Sequence, residues 1–177
     1  RANQIMGLAQ DAPGGVTAND HVNLAQSTND CVPTGIKLAC VLAWPALQEA
    51  AQLLIKALEA KGRETSDTLR TGRTCMQAAQ PMTYGQLFGG YASMVSRALQ
   101  DVERAVHGLC TVPMGGTAIG TGLGAPEGYR EVIEEALSES LGFEIECAAN
   151  AFDGMQSADG FARMSAELRN LAAACAK

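Results

Sequence analysis

Aromatic residues make up only 5% of the chain, and histidine is scarcer still, with two copies. None of the six cysteines, at 31, 40, 75, 110, 147 and 175, forms a Cys-x-x-Cys pair. Two histidines and no paired thiols leave no zinc-type ligand set, so neither metal nor cofactor is expected. Basic residues are outnumbered, 13 against 19 acidic ones, giving a net charge of −6. An acidic surface carries no electrostatic footprint for nucleic acid. No run of 18 apolar residues occurs, and no membrane span is expected. Strand formers are few as well: nine valines and six isoleucines stand against 30 alanines. That balance excludes a sheet-rich domain and favours close-packed helices.

What is present is a core. Hydrophobic residues are 47% of the 177, which argues against disorder. Scattered cysteines in such a chain read as reduced thiols, and a cytoplasmic location is expected. The opening RANQIMGLAQ has no charged-then-apolar signal pattern and no initiator methionine, and the closing NLAAACAK stops inside a helical pattern. Both ends read as cut, so a fragment is expected.

Three long helices are predicted. Ile36, Cys40, Ala43, Leu47, Ala51, Leu54 and Leu58 fall at helical spacing over 33–61, with Pro45 expected to kink the helix and Gly62 to end it. Leu87, Tyr91, Met94, Ala98, Val102, Ala105 and Leu109 repeat the pattern over 84–109, with Thr83 as N-cap. Met155, Ala158, Phe161, Ser165, Leu168, Ala172 and Cys175 give a third helix over 153–177. A shorter helix is expected at 127–141, a loop at 63–82, and one strand-like piece at 142–147. Residues 113–128 hold six glycines, a loop that must adopt angles other residues avoid or let something approach closely. Gly120-x-Gly122-x-Gly124 lacks the strand and βαβ surroundings of a dinucleotide loop, so a buried tight turn is expected.

Ser27, Thr28, Asn29 and Asp30 cluster hydroxyls, an amide and a carboxylate at a helix start. Such groups cap a helix, and the same donors suit a bound carboxylate. GRTCMQ at 72–77 offers Arg73 for an anion, Thr74 as a donor and Cys75 as a thiol, which alone is most often inert.

Taken in order, HVNLAQSTNDCVPTGIKLA, GRTCMQAAQPMTYGQ and GGTAIGTGLGAPEGY strongly resemble the aspartase/fumarase superfamily, and the tail SADGFARMSAELRNLAAACAK resembles the helix that follows there. The resemblance implies an all-α fold, a long-helix bundle of the superfamily's central-domain type with irregular Gly-rich loops. Residues 1–32 would close an N-terminal helical region bearing the substrate loop, and 33–177 would form part of the central bundle. It implies a homotetramer whose active sites each gather segments from three subunits. The substrate would be a small dicarboxylate: L-aspartate, fumarate or L-malate. A serine base takes a proton beside a carboxylate, and preorganised donors hold the developing charge.

By motif, Ser27, Thr28, Asn29 and Thr74 match substrate contacts, and Cys75 falls where fumarases have a histidine, at the catalytic position. Asn19 and Asp20 match a secondary carboxylate site, with Thr17 in place of its usual histidine. The superfamily's Gly-Ser-Ser loop and its Met-Pro-x-Lys-x-Asn-Pro segment do not occur in these residues, so this chain alone is expected to be inactive. QSTND and PMT lean towards aspartase over the fumarases' QSSND and PLT. A protonated amine also leaves more readily than hydroxide without a general acid. The expectation is therefore an aspartate ammonia-lyase, with fumarate hydratase as the alternative. A non-catalytic member, as crystallins of this superfamily are, is the reading from another class.

Overall fold

The structure, a computed structural model, describes all 177 residues. They form two compact units, Arg1–Leu38 with Cys110–Ser157, and Ala39–Leu109 with Ala158–Lys177. The contacts thus divide the chain otherwise than at residue 32. The architecture is largely helical, as expected, and belongs to the helical-bundle type.

In the first unit, α1 (Ala2–Ile5) precedes an irregular stretch held by buried Asn3. The Asn3 side chain donates to the Gln10 and Val16 carbonyls and accepts from the Val16 N–H. One π-helical turn, Ala18–Val22, leads to α2 (Thr28–Glu64), whose first eleven residues belong here. Leu38 of α2 meets Val112, Met114 and Ile145 in a small core.

The second unit takes the rest of α2, then β1 (Leu69–Thr74), β2 (Gln77–Thr83) and α3 (Tyr84–His107). The first unit resumes with β3 (Thr111–Val112), α4 (Tyr129–Leu141), β4 (Glu146–Cys147) and α5 (Ala151–Gln156). α6 (Asp159–Cys175) completes the second, whose core joins Trp44 and Ala51 of α2, Val95, Leu99 and Val102 of α3, and Met164 and Leu171 of α6.

Several expectations are corrected. The stretch 63–82 is not a loop: β1 and β2 pair antiparallel as a hairpin, and β3 and β4 pair in parallel. The third helix is broken, with α5 capped by Asn150 and α6 starting anew at Asp159. Its buried side carries Met164 and Leu171, whereas Ser165, Ala172 and Cys175 of the expected stripe are exposed. Gly62 does not end α2, which runs to Glu64. The close approach here is at Gly85, since a Cβ on Gly62 itself would meet nothing nearer than 3.4 Å. A Cβ on Gly85 would lie 2.8 Å from both the Gly62 carbonyl oxygen and the Ser66 Cα, so the start of α3 sits almost backbone to backbone on the end of α2. Thr83 caps α3 as expected, in a capping box with Gln86.

By length and composition α2 is apolar enough to cross a membrane, contrary to expectation. Leu38 enters one core and Trp44 and Ala51 the other, while most of the helix is exposed.

Candidate active site

The site is built where α2 begins. Ser27 is the N-cap: its hydroxyl accepts from the Asn29 N–H at 3.2 Å, and its carbonyl takes the first helical bond, from the Cys31 N–H. Asp30, three residues on, accepts the Ser27 N–H at 2.9 Å through Oδ1. These bonds satisfy donors that a helix start otherwise leaves free. Asp30 is fully buried, and its second oxygen, Oδ2, accepts the Thr117 N–H at 2.9 Å. The Asn29 amide meanwhile donates to the neighbouring Ala118 carbonyl at 2.8 Å.

Thr117 and Ala118 belong to the Gly-rich loop. It turns tightly, closed by N–H bonds from Gly120 and Gly122 to the Gly116 carbonyl, but of the expected buried stretch only Gly120 is buried, while Leu123 and Gly124 are exposed. A Cβ on Gly120, at φ +99°, would meet the Phe152 backbone at 2.9 Å, so this position admits only glycine. The start of α2 and this loop are thus two walls of one cleft of about 480 Å³. Thr28 and Asn29 form one wall, Ala118 and Ile119 the other, and Met155 and Gln156 of α5 close one side. Thr28 and Asn29 are exposed to the cleft, at the positive end of a 37-residue helix. A hydroxyl, an amide and a helix N-terminus suit a carboxylate.

Burial pushes the Cys31 thiol up to about 11, with the Asp30 carboxylate adding to it. Burial also raises Cys110, aided by Glu146, and Cys147, aided by Glu134. All six cysteines are free.

The second motif lies in the other unit, at the hairpin. Thr74 pairs with Gln77, and Cys75 and Met76 form the two-residue turn. Both turn residues have positive φ, 47° and 64°, as a type I′ turn demands, although neither is glycine or asparagine. Thr74, Cys75 and Met76 are all exposed. The Arg73 guanidinium donates to the Met76 carbonyl at 3.2 Å, across the turn.

Asn19 and Asp20 lie exposed in the π-helical turn. The Thr17 hydroxyl accepts from the Asp20 N–H and donates to its carboxylate, both at 3.1 Å, while the Thr17 N–H donates to His21 Nδ1. Thr17 therefore links Asp20 and His21 within the exposed turn. No cluster of three or more His, Cys, Asp or Glu side chains is placed to hold a metal ion.

Thr28 and Asn29 stand in the sequence as a motif, whereas the facing wall, Ala118 and Ile119, and the two backbone bonds accepted by Asp30 do not. The Ser-x-x-Asp spacing of a capping box was the available signal for Asp30.

A family model described as lyase matches residues 1–177. The chain belongs to this lyase family, within the aspartase/fumarase superfamily. It is 36% identical over 178 residues to fumarate hydratase class II of Rhizobium meliloti (strain 1021), covering all of this chain and 38% of that protein. It is equally similar to the mitochondrial fumarate hydratase of Schizosaccharomyces pombe, of which it covers 34%. Among solved structures, the cobalt-bound fumarate lyase:delta crystallin from Brucella melitensis superposes with a TM-score of 0.93 at 34% identity, over 97% of this chain and 37% of that one. Class II fumarase from Schistosoma mansoni gives 0.89 at 29% identity, over 98% and 39%. The chain thus spans a little over a third of the length of these relatives.

These relatives overturn the expectation of an aspartate ammonia-lyase. The residues that favoured it discriminate poorly. Threonine in QSTND and serine in QSSND both present a hydroxyl and differ by one methyl group, and Met82 in place of leucine changes no polar group.

Proposed function

We propose that this chain is the carboxylate-binding part of a fumarate hydratase, which interconverts L-malate and fumarate. The observation that carries the reading is the cleft at the start of α2. There the Thr28 hydroxyl, the Asn29 amide and the helix N-terminus face a space suited to a small dicarboxylate, in a chain similar along its whole length to fumarate hydratases. Taking a proton from the carbon beside a carboxylate drives charge onto that carboxylate. Donors fixed beforehand by Ser27, Asp30 and Ala118 stabilise that charge with little reorganisation.

The resemblance supplies the remaining parts. A serine base would come from the Gly-Ser-Ser loop that these 177 residues do not hold. Thr74 and Cys75 would reach a site from the hairpin, in a homotetramer whose sites gather three subunits. Exposed apolar side chains along α2, including Ile36, Leu42 and Leu53, support such assembly. Asn19 and Asp20 would form a secondary carboxylate site, and the free thiols fit a cytoplasmic protein. Hydroxide leaves poorly and wants a proton donor; with cysteine at the histidine position, water bound in the pocket would take more of that task.

The test is an assay of the whole protein with L-malate and with fumarate, beside L-aspartate. Interconversion of malate and fumarate is expected. Release of ammonia from aspartate without malate turnover would overturn the reading.

A further inference from the structure

We infer that Asp30 is a positioning residue: its carboxylate holds the two walls of the cleft in register, and so sets affinity for a carboxylate it does not touch. The inference rests on the hydratase reading for its substrate.

A cap needs one oxygen, and an exposed carboxylate at the third helical position would serve at little cost. Asp30 is instead fully buried, although removing a carboxylate from water is expensive unless its oxygens are met. Each oxygen meets a backbone N–H from a different wall, Ser27 on one side and Thr117 on the other, 87 residues away in sequence.

Thr117 shows that the bond carries load. It is buried, non-glycine, and held at φ +54°, a conformation that persists only where its surroundings fix it. The next residue, Ala118, offers its carbonyl to Asn29 Nδ2 at 2.8 Å. Asp30 thus fixes Thr117, Thr117 fixes Ala118, and Ala118 fixes the plane of the Asn29 amide. The second N–H of that amide is left to face the cleft.

Asp30→Asn keeps the shape but leaves one acceptor oxygen and turns an NH2 towards one of the two N–H groups. In the whole protein, KM for fumarate should rise about ten- to hundredfold, the scale of a misplaced binding group, with a smaller change in kcat. Thr34→Val is the control. It removes a buried bond to the Asp30 carbonyl, 2.7 Å long in the same turn, but neither wall tie. It should lower the unfolding temperature and leave KM within about twofold, since no group facing substrate shifts. An unchanged KM in Asp30→Asn, or an equal rise in Thr34→Val, overturns the inference.

Should Asp30→Asn fail to fold, the wild-type protein decides through hydrogen exchange. The Thr117 amide should exchange at least about a hundredfold more slowly than that of exposed Gly124 in the same loop. Equal rates overturn the clamp whatever the substrate. Absent turnover of malate and fumarate by the wild type would instead sink the hydratase reading, leaving the clamp to the exchange measurement.

Discussion

Cys31 and Cys75 lie in two of the motifs that carry the family resemblance, yet their surroundings separate them. Cys75 and Cys175 are exposed, whereas Cys31, Cys110 and Cys147 are half-buried thiols whose ionisation burial disfavours. An alkylating reagent at mild alkaline pH should label Cys75 and Cys175 first, and the other three only on unfolding, as peptide mass spectrometry would record. Early labelling of Cys31 would count against the buried start of α2. The raised thiols also tie stability to pH. Below about 9, the ordinary thiol value, they are protonated in both states. Above it the unfolded chain loses protons first, so stability should fall as pH rises from about 9 towards 11. Cys31→Ala should flatten part of that fall in urea titrations. The turn residues give a second expectation. Cys75 and Met76 both stand in the left-handed region, which costs side chains about 1–2 kcal/mol each. Replacing the pair with Asn-Gly should stabilise the hairpin unit by about 1–2 kcal/mol, because neither side chain is buried. A loss of stability would show that the pair makes contacts its exposure denies.

Among elements, α2 and α3 are constrained most clearly at Gly85, where the start of α3 meets the end of α2. Alanine is the better helix former by about 1 kcal/mol, so intrinsic propensity favours Gly85→Ala. The new Cβ would meet two backbone atoms at 2.8 Å, neither on a flexible side chain. Overpacking of this kind costs about 1–3 kcal/mol, and the substitution should destabilise on balance. A urea midpoint unchanged or raised in Gly85→Ala would mean that α2 and α3 separate there at no cost.

The same elements show what sequence could reveal. α2 and α3 were legible because apolar residues recur at helical spacing and Thr83 announces a cap. The hairpin was not. Most of its residues are exposed, so no buried side imposes the alternation by which strands are read. The break between α5 and α6 was hidden for the converse reason, since Met155, Ala158 and Phe161 continue a helical spacing across it. In the candidate site, Thr28 and Asn29 were legible as side chains in a motif. The opposite wall, Ala118 and Ile119, follows Thr117, which Asp30 binds across 87 residues of sequence, and carries no local pattern.

For the molecule as a whole, exposed apolar surface and missing chemistry lead to two further expectations. Leu42 and Leu53 of α2 remain more than half exposed, as do Val32 and Val132. Surfaces of this kind associate, so light scattering should find the purified 177-residue chain as oligomers at micromolar concentration. A stable monomer would leave the exposed side of α2 unexplained. The second expectation concerns turnover. The chain brings the cleft proposed for a carboxylate at Thr28 and Asn29 and a hairpin with Thr74 and Cys75, but these residues hold no Gly-Ser-Ser loop and no lysine-bearing segment of the kind the resemblance implies. A positioned base is worth about a hundred- to ten-thousandfold in rate, and loss of a charge-stabilising group about a hundred- to a thousandfold. Oligomers of the chain alone should therefore show no detectable interconversion of malate and fumarate, even where fumarate still binds the cleft. Binding without turnover would place the chemistry outside these residues and the recognition within them. Turnover by the chain alone would require a base among its own side chains, and the search would begin at the exposed hairpin and its Cys75.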